Sequence, residues 1–263
     1  MNVILSIART TLGEAIRRRV LLVILLVGVL LLAIAPGLEQ LSPRQELTVL
    51  RALTLGIIQL TSAVIAVVLT VYLIPNEIER RTIYTILSKP VRRWQFLIGK
   101  YLGAVSALGL MMALMTGIML LVFVMMRKVE GMDELMTIAK VPLAFFIQMS
   151  LLAAVSVFFS TFVSPIVNFF LSGGVYLVGT LFDSFFDVLS KNSQLNPLVK
   201  MMASVIHVLV PNFQSFNVQN TVINQGQLIQ GEGMMYLGLA AYAVTYIAIL
   251  MIAGIVVFEY REV

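Results

Sequence analysis

Charged side chains crowd into one short stretch of an otherwise apolar sequence. Glu77 and Glu79 stand two positions apart, the basic pair Arg80 and Arg81 follows at once, and the single tryptophan, Trp94, lies near the end of the stretch. Carboxylates and guanidinium groups at this density favour charge-assisted contacts with another protein. The alternative is a solvated basic loop in which Trp94 anchors the chain at a membrane surface.

A second set of polar residues interrupts long apolar runs. Asp183 and Asp187 are four positions apart, so both would lie on one face of a helix. Gln59 and Ser62 place polar groups well inside another apolar run. Because polar groups inside a membrane are costly, we treat these four residues as a candidate substrate path. The alternatives are a hydrated helix end for the two aspartates and hydrogen bonds between helices for Gln59 and Ser62.

The sequence offers no catalytic motif of its own. The phosphate-binding pattern G-x-x-x-x-G-K-[ST] is absent, because the Gly99-Lys100 pair is followed by Tyr101. Cysteine is absent and His207 is the only histidine, which excludes a cysteine nucleophile and a multi-histidine metal site. The 15 methionines fit apolar packing better than a copper site. We therefore predict a protein that is not an enzyme and binds no metal or cofactor, so that a different polypeptide would hold any ATP and Mg²⁺.

The composition is that of a membrane protein. Hydrophobic residues make up 60% of the 263 residues, charged residues only 12%, and the mean hydropathy is +0.99. Soluble domains hold about 45–50% apolar and about 25% charged residues. The sequence thus excludes a soluble enzyme and a disordered chain. The excess of 18 basic over 13 acidic residues relates to membrane topology, and we expect a lipid bilayer and no nucleic acid as partner.

Six runs are apolar enough to cross a bilayer, for which a helix needs about 20 residues. We predict an all-α integral membrane protein, a single transmembrane domain over residues 1–263, with six transmembrane helices. Their predicted bounds are Val20–Ala35, Ala52–Ile74, Gln95–Met126, Val141–Phe162, Ile166–Asp187 and Met234–Phe258. Gly99, Gly103 and Ala107 form a ridge of small residues at the start of the third span, which predicts close approach of another helix there.

The distribution of Lys and Arg predicts a multi-pass protein with both termini in the cytoplasm. Most of the 18 basic residues then fall on the cytoplasmic side. We predict that residues 1–19 form an amphipathic elbow helix in the inner interface. Residues 75–94 are predicted to form a cytoplasmic loop with a short helix that is capped by Asn76 and ends at Pro90. We expect residues 189–233 to form a long extracytoplasmic segment, within which the apolar run Leu198–Val210 is too short to span a bilayer.

The cytoplasmic stretch from Glu77 to Lys100 resembles the signature of ABC type-2 permeases. The matching positions are Glu77, Glu79, Thr82, Leu87, Pro90, Arg93, Gly99 and Lys100. Outside it, Pro211-Asn-Phe-Gln-Ser-Phe216 and Phe258-Glu-Tyr-Arg261 are similar to stretches of the branch named for multi-copper enzyme maturation, with relatives in gliding motility. Arg81 departs from the pattern, because many members carry glycine there.

The resemblance implies the transmembrane subunit of an ATP-binding-cassette exporter in a bacterial or archaeal cytoplasmic membrane. Such subunits work in pairs, as a homodimer or heterodimer, each with a separate cytoplasmic ABC ATPase that binds ATP and Mg²⁺. The expected ATPase-coupling residues are Glu77, Glu79, Arg80, Arg81, Thr82, Leu87, Pro90 and Arg93.

Two other functions stay open at this point. An ATPase-driven mechanical or assembly module would use the same loop without moving a substrate through a pore. An ATPase-independent channel or carrier would instead depend on Asp183 and Asp187. No residue pattern identifies a substrate.

Overall fold

Helices make up nearly all of the part of this chain that the structure describes. The computed structural model describes residues 3–39, 46–79, 92–126, 131–181, 210–218 and 232–260. Within these ranges there is no strand, which confirms the all-α class. The elements are α1 (Val3–Arg17), α2 (Arg19–Glu39), α3 (Glu46–Val71), α4 (Pro75–Glu79), α5 (Arg93–Met125), α6 (Met132–Ser160), α7 (Pro165–Thr180), a 3-10 helix (Gln214–Phe216) and α8 (Glu232–Tyr260).

Five of the described helices are long and apolar enough to cross a membrane. They are α2, α3, α5, α6 and α8, and each covers most of one predicted span. The remaining predicted span, Ile166–Asp187, begins with α7, whose 16 residues rise only about 24 Å. A bilayer core is about 30 Å thick. Residues 182–187 lie outside the described residues, so the sixth crossing stays a prediction.

The core lies along α3 and α6, which are the most buried of the long helices, whereas only 22% of the membrane-crossing stretch is buried in α2 and in α8. Leu55, Ile58 and Ile65 of α3 are fully buried, as are Leu151 and Leu152 of α6. α3 packs against α2, α5, α6 and α7. An apolar outer surface on the peripheral helices is the pattern expected where lipid, rather than water, surrounds a helix bundle.

The connections between helices follow local sequence chemistry. α7 begins at Pro165, as predicted, because proline suits the first turn of a helix. The prediction of Asn76 as an N-cap is wrong: α4 begins at Pro75, and the Asn76 N–H donates to the carbonyl of Tyr72 at 3.3 Å. α3 therefore runs through a tight turn directly into α4.

α1 occupies the segment predicted as the elbow helix, and only part of its surface packs against the bundle. Thr11 and Ala15 are buried, whereas Leu5 and Ile16 are exposed. α1 packs mainly along α5. The contact between α1 and α5 thus includes small and polar residues as well as apolar ones. The location of α1 at a membrane surface stays a prediction.

Candidate functional site

Three helices meet in a charged cluster at the predicted cytoplasmic end of the bundle. The Lys100 ammonium of α5 lies 2.6 Å from a carboxylate oxygen of Glu77 in α4 and 3.6 Å from one of Glu14 in α1. Only 5% of the Lys100 side chain is exposed, against 14% for Glu77 and 54% for Glu14. Lys100 is therefore the buried centre that joins α1, α4 and α5.

The cluster forms because glycines let α1 lie directly on α5. A Cβ atom on Gly103 would stand 2.6 Å from the Ala8 carbonyl oxygen and 2.6 Å from Thr11 Cβ. A Cβ atom on Gly99 would stand 2.8 Å from Ile7 Cβ. Side chains at either position would push the helices apart, so the predicted ridge of small residues is confirmed and its partner is α1.

Arg93 ties the start of α5 to the end of α8. Its guanidinium donates to the carbonyls of Phe258 and Glu259 at 2.7 and 3.1 Å and lies 5.7 Å from the centre of the Phe258 ring. The Phe96 and Phe258 rings stack at 6.4 Å. A cation at a helix C-terminus satisfies carbonyls that have no partner within the helix and complements the helix dipole.

The structure brings two of the predicted coupling residues, Glu77 and Arg93, to this end of the bundle. Glu79 is the last residue of α4, and nothing is described of its side chain. The other predicted coupling residues lie outside the described residues; they are Arg80, Arg81, Thr82, Leu87 and Pro90. The coupling role of all of them stays a prediction.

The candidate path residues Gln59 and Ser62 make hydrogen bonds within the bundle. The Gln59 amide donates to the Gln148 side chain of α6 at 3.3 Å, and the Ser62 hydroxyl donates to the Gln59 carbonyl at 3.0 Å. These bonds match the interhelical alternative for Gln59. Asp183 and Asp187 lie outside the described residues.

Gln148 in turn binds backbone at Phe213, which lies outside any helix, inside the bundle. Its amide donates to the Phe213 carbonyl at 2.9 Å, and the Phe213 N–H donates to the Gly179 carbonyl at 3.0 Å. Gln148 is fully buried and lies about 18 Å along α6 from Ser160. Non-helical backbone is tolerated at such depth only when protein groups satisfy it, which Gln148 and Gly179 do here.

Aromatic packing fixes the same segment between α7 and α8. Phe213 and Phe216 are fully buried, and their rings lie 5.6 Å from Tyr176 and 6.1 Å from Tyr242. The Asn212 N–H donates to the Tyr242 hydroxyl at 3.0 Å. Part of the predicted extracytoplasmic segment thus inserts between helices, so we name residues 211–216 the inserted segment.

Sequence reasoning missed several polar contacts between helices. Asn168 of α7 donates to the Ser156 carbonyl of α6 at 3.0 Å and accepts from Ser172 at 2.8 Å. Arg51 of α3 forms an ion pair with Glu134 of α6. Single polar residues in apolar runs do not reveal their partners, because the pairing depends on how the helices are arranged.

An apolar groove runs between α3 and α7, with a volume of about 190 Å³. Its lining includes side chains that are exposed in the single chain: Leu60 and Val64 of α3, and Phe169 and Leu177 of α7. Its chemistry suits contact with lipid, an apolar ligand or another apolar helix.

The described residues contain an ion-paired cluster and a buried methionine stripe. Among them, no group of three or more His, Cys, Asp or Glu side chains could hold a metal ion. The methionine stripe Met111, Met115 and Met119 is buried in the core. The Glu77 and Glu14 carboxylates lie 2.6 and 3.6 Å from the Lys100 ammonium, so the charged cluster links α4 and α1 to α5.

Comparison with protein-family models matches residues 5–263 to the ABC-2 family transporter protein. The chain belongs to the ABC-2 transporter family. It is therefore a multi-pass membrane protein and a transmembrane subunit of an ABC transporter. Comparison with curated proteins finds no match. Assignment of this permease to the multi-copper maturation branch stays a prediction.

Membership of this family relates the charged cluster to the part of the permease that follows α4. Family members are membrane components, generally without catalysis of their own, that associate with ABC ATPases. In this permease the helix that starts the signature stretch, α4, is tied by Glu77 to the buried Lys100. The signature thus begins on a helix anchored to the membrane bundle.

Proposed function

We propose that the permease is an exporter subunit that pairs with a second permease copy and with two cytoplasmic ABC ATPases in a bacterial or archaeal cytoplasmic membrane. Both termini would lie in the cytoplasm, and α4 would begin the coupling helix that docks on the ATPase. The ion pair between Lys100 and Glu77 carries this proposal. It links the element expected to meet the ATPase with the first turns of a membrane helix.

Movement imposed on α4 would reach the membrane by two routes. α4 follows α3 through a tight turn, and Glu77 connects it to α5 through Lys100. Glu14 extends the connection to α1. ATP binding can favour one arrangement of these helices only if the ATPase makes different contacts with the two arrangements.

ATP and Mg²⁺ would be held entirely by the ATPase. The permease sequence has no phosphate-binding loop, and its charged cluster consists of ion-paired side chains. The permease would contribute no catalytic residue, and its own residues would transmit the movement and shape the cavity between the two copies.

The inserted segment favours a second candidate function, an ATPase-driven mechanical or assembly module. Within one chain it fills the space between α6, α7 and α8 with buried aromatic rings. A module of this kind would transmit movement to an outer partner without a continuous pore. A channel or carrier without an ATPase would depend on Asp183 and Asp187 and would not need α4.

Reconstitution in sealed vesicles distinguishes these functions. The purified complex with its ATPase should accumulate a substrate, chosen from the products of genes beside the permease gene, inside the vesicle only when ATP is supplied outside it. ATP hydrolysis stimulated by the permease without any transport would favour the mechanical module. Transport without the ATPase that is lost in the double variant Asp183→Asn, Asp187→Asn would contradict both in favour of the carrier.

A further inference from the structure

A second feature of the charged end is an open cleft beside Lys100. It has a volume of about 370 Å³, and its polar lining comes from three separate parts of the chain. These lining residues are Glu14, Arg17, Arg18, Asn76, Glu77 and Lys100.

The charges of the cleft are unevenly satisfied. Lys100 is engaged by Glu77 at 2.6 Å and by Glu14 at 3.6 Å. Arg17 and Arg18 also line the cleft, and neither makes an ion pair with any residue that the structure describes. The two guanidinium groups therefore give one side of the cleft a positive charge that its own carboxylates do not neutralise.

The cleft also lies at the edge of the apolar surface. Arg18 stands between the end of α1 and the start of α2, and α2 continues with Val20 and Val23, which are 61% and 60% exposed. In a membrane protein such residues contact acyl chains. A headgroup whose acyl chains lie on this part of α2 would therefore reach the two arginines.

We propose that this cleft binds the phosphate group of an anionic phospholipid. Arginine presents a planar fork of N–H donors that matches phosphate oxygens, which makes it the preferred partner of such groups. Basic pockets between membrane helices on the cytoplasmic side are suited to anionic headgroups. Asn76 also lines the cleft, and its amide can donate to the remaining headgroup oxygens.

A bound headgroup would connect the elbow segment with α4. Arg17 and Arg18 lie at the junction of α1 and α2, whereas Asn76 belongs to α4. The inference rests on the membrane placement in the proposed function, but not on the ATPase. Lipid binding is measured on the permease alone, so loss of lipid binding and loss of ATPase coupling are separate results.

Native mass spectrometry of the full-length permease in detergent tests the site. Phosphatidylglycerol and phosphatidylcholine are titrated against the wild type, the double variant Arg17→Gln, Arg18→Gln, and the control Arg9→Gln, Arg19→Gln. The control removes the same charge from exposed arginines that do not line the cleft. We expect the cleft variant to bind phosphatidylglycerol about tenfold more weakly, and the control within about threefold of wild type.

Three results would overturn the proposal. They are equal loss in both double variants, no loss in the cleft variant, and displacement of the lipid by equimolar glycerol phosphate, which would indicate a soluble ligand. If the cleft variant fails to fold, Glu14→Gln provides the test. Removing this carboxylate from the cleft should tighten phosphatidylglycerol binding, and unchanged or weaker binding would contradict the site.

Discussion

At the scale of single residues, Lys100 decides how the charged end is organised. A buried ammonium group without a partner would be costly, and two carboxylates from different helices compensate it. The two contacts are unequal, because Glu77 is close and mostly buried while Glu14 is more distant and half exposed. The linkage between α4 and α5 is thus the stronger of the two.

Lys100→Gln should therefore destabilise the permease far more than Glu14→Gln. Removing Lys100 leaves the mostly buried Glu77 carboxylate without its cation, which should lower the free energy of unfolding by about 2–3 kcal/mol. Loss of the exposed partner should cost at most about 1 kcal/mol. Unfolding in nanodiscs measures both, and equal losses would show that Lys100 does not depend mainly on Glu77.

Gln148 fixes the inserted segment to α6 by a hydrogen bond, as Lys100 fixes α4 to α5 by an ion pair. Gln148→Leu would leave the Phe213 carbonyl without its side-chain donor, at a cost of roughly 1–3 kcal/mol. Because the chain contains no cysteine, a Ser215→Cys label reports on this segment alone. Its maleimide labelling should become faster in Gln148→Leu.

The control for this experiment lies two residues along the same helix. The Ser150 hydroxyl donates only to the Phe146 carbonyl within α6, so Ser150→Ala should leave the labelling rate unchanged. Equal rates in the wild type and Gln148→Leu would mean that Gln148 does not hold the segment.

At the scale of elements, the contact between α1 and α5 depends on glycine. Neighbouring membrane helices gain little from burying apolar surface, because lipid is already apolar, so close packing decides which helices associate. Gly99 and Gly103 provide that packing for α1. Arg93 similarly links α5 to α8 by binding the carbonyls at the end of α8.

Gly103→Ala should displace α1, whereas Gly117→Ala on the same helix should not. The new Cβ atom at Gly103 would overlap backbone of α1, and such overpacking costs about 1–3 kcal/mol. Gly117 has open space around it, and alanine should stabilise the helix slightly there. Comparison of their unfolding temperatures tests this, and equal temperatures would contradict the close contact.

At the scale of the whole molecule, hydropathy predicts the elements better than their arrangement. Five predicted spans match long apolar helices, and the ridge from Gly99 to Ala107 correctly predicts a close helix contact. Hydropathy cannot separate lipid-facing from protein-facing residues, because both are apolar.

At the candidate site, too, the sequence predicts which residues matter better than it predicts their partners. The sequence draws attention to Glu77, Arg93 and Lys100, but their partners are distant in the chain: Lys100 binds Glu77 and Glu14, and Arg93 binds the end of α8. Gln148 and Asn168 carry no sequence signal, since a lone amide in an apolar run has no visible partner. Only the three-dimensional arrangement shows what they hold.

In the proposed mechanism a separate ABC ATPase moves the permease through the segment that begins with α4, and contact with this segment in turn stimulates ATP hydrolysis. The direct measurement is ATP hydrolysis by the partner ABC ATPase, with and without the permease in nanodiscs. The variant Glu79→Ala, Arg80→Ala, Arg81→Ala leaves the pair between Glu77 and Lys100 in place, and Arg9→Ala serves as a control on α1. We expect the wild-type permease to stimulate hydrolysis several-fold. The triple variant should fold normally but lose this stimulation, and the Arg9→Ala control should keep it. Equal stimulation and co-purification of the ATPase with the wild type and the triple variant would contradict the proposed mechanism.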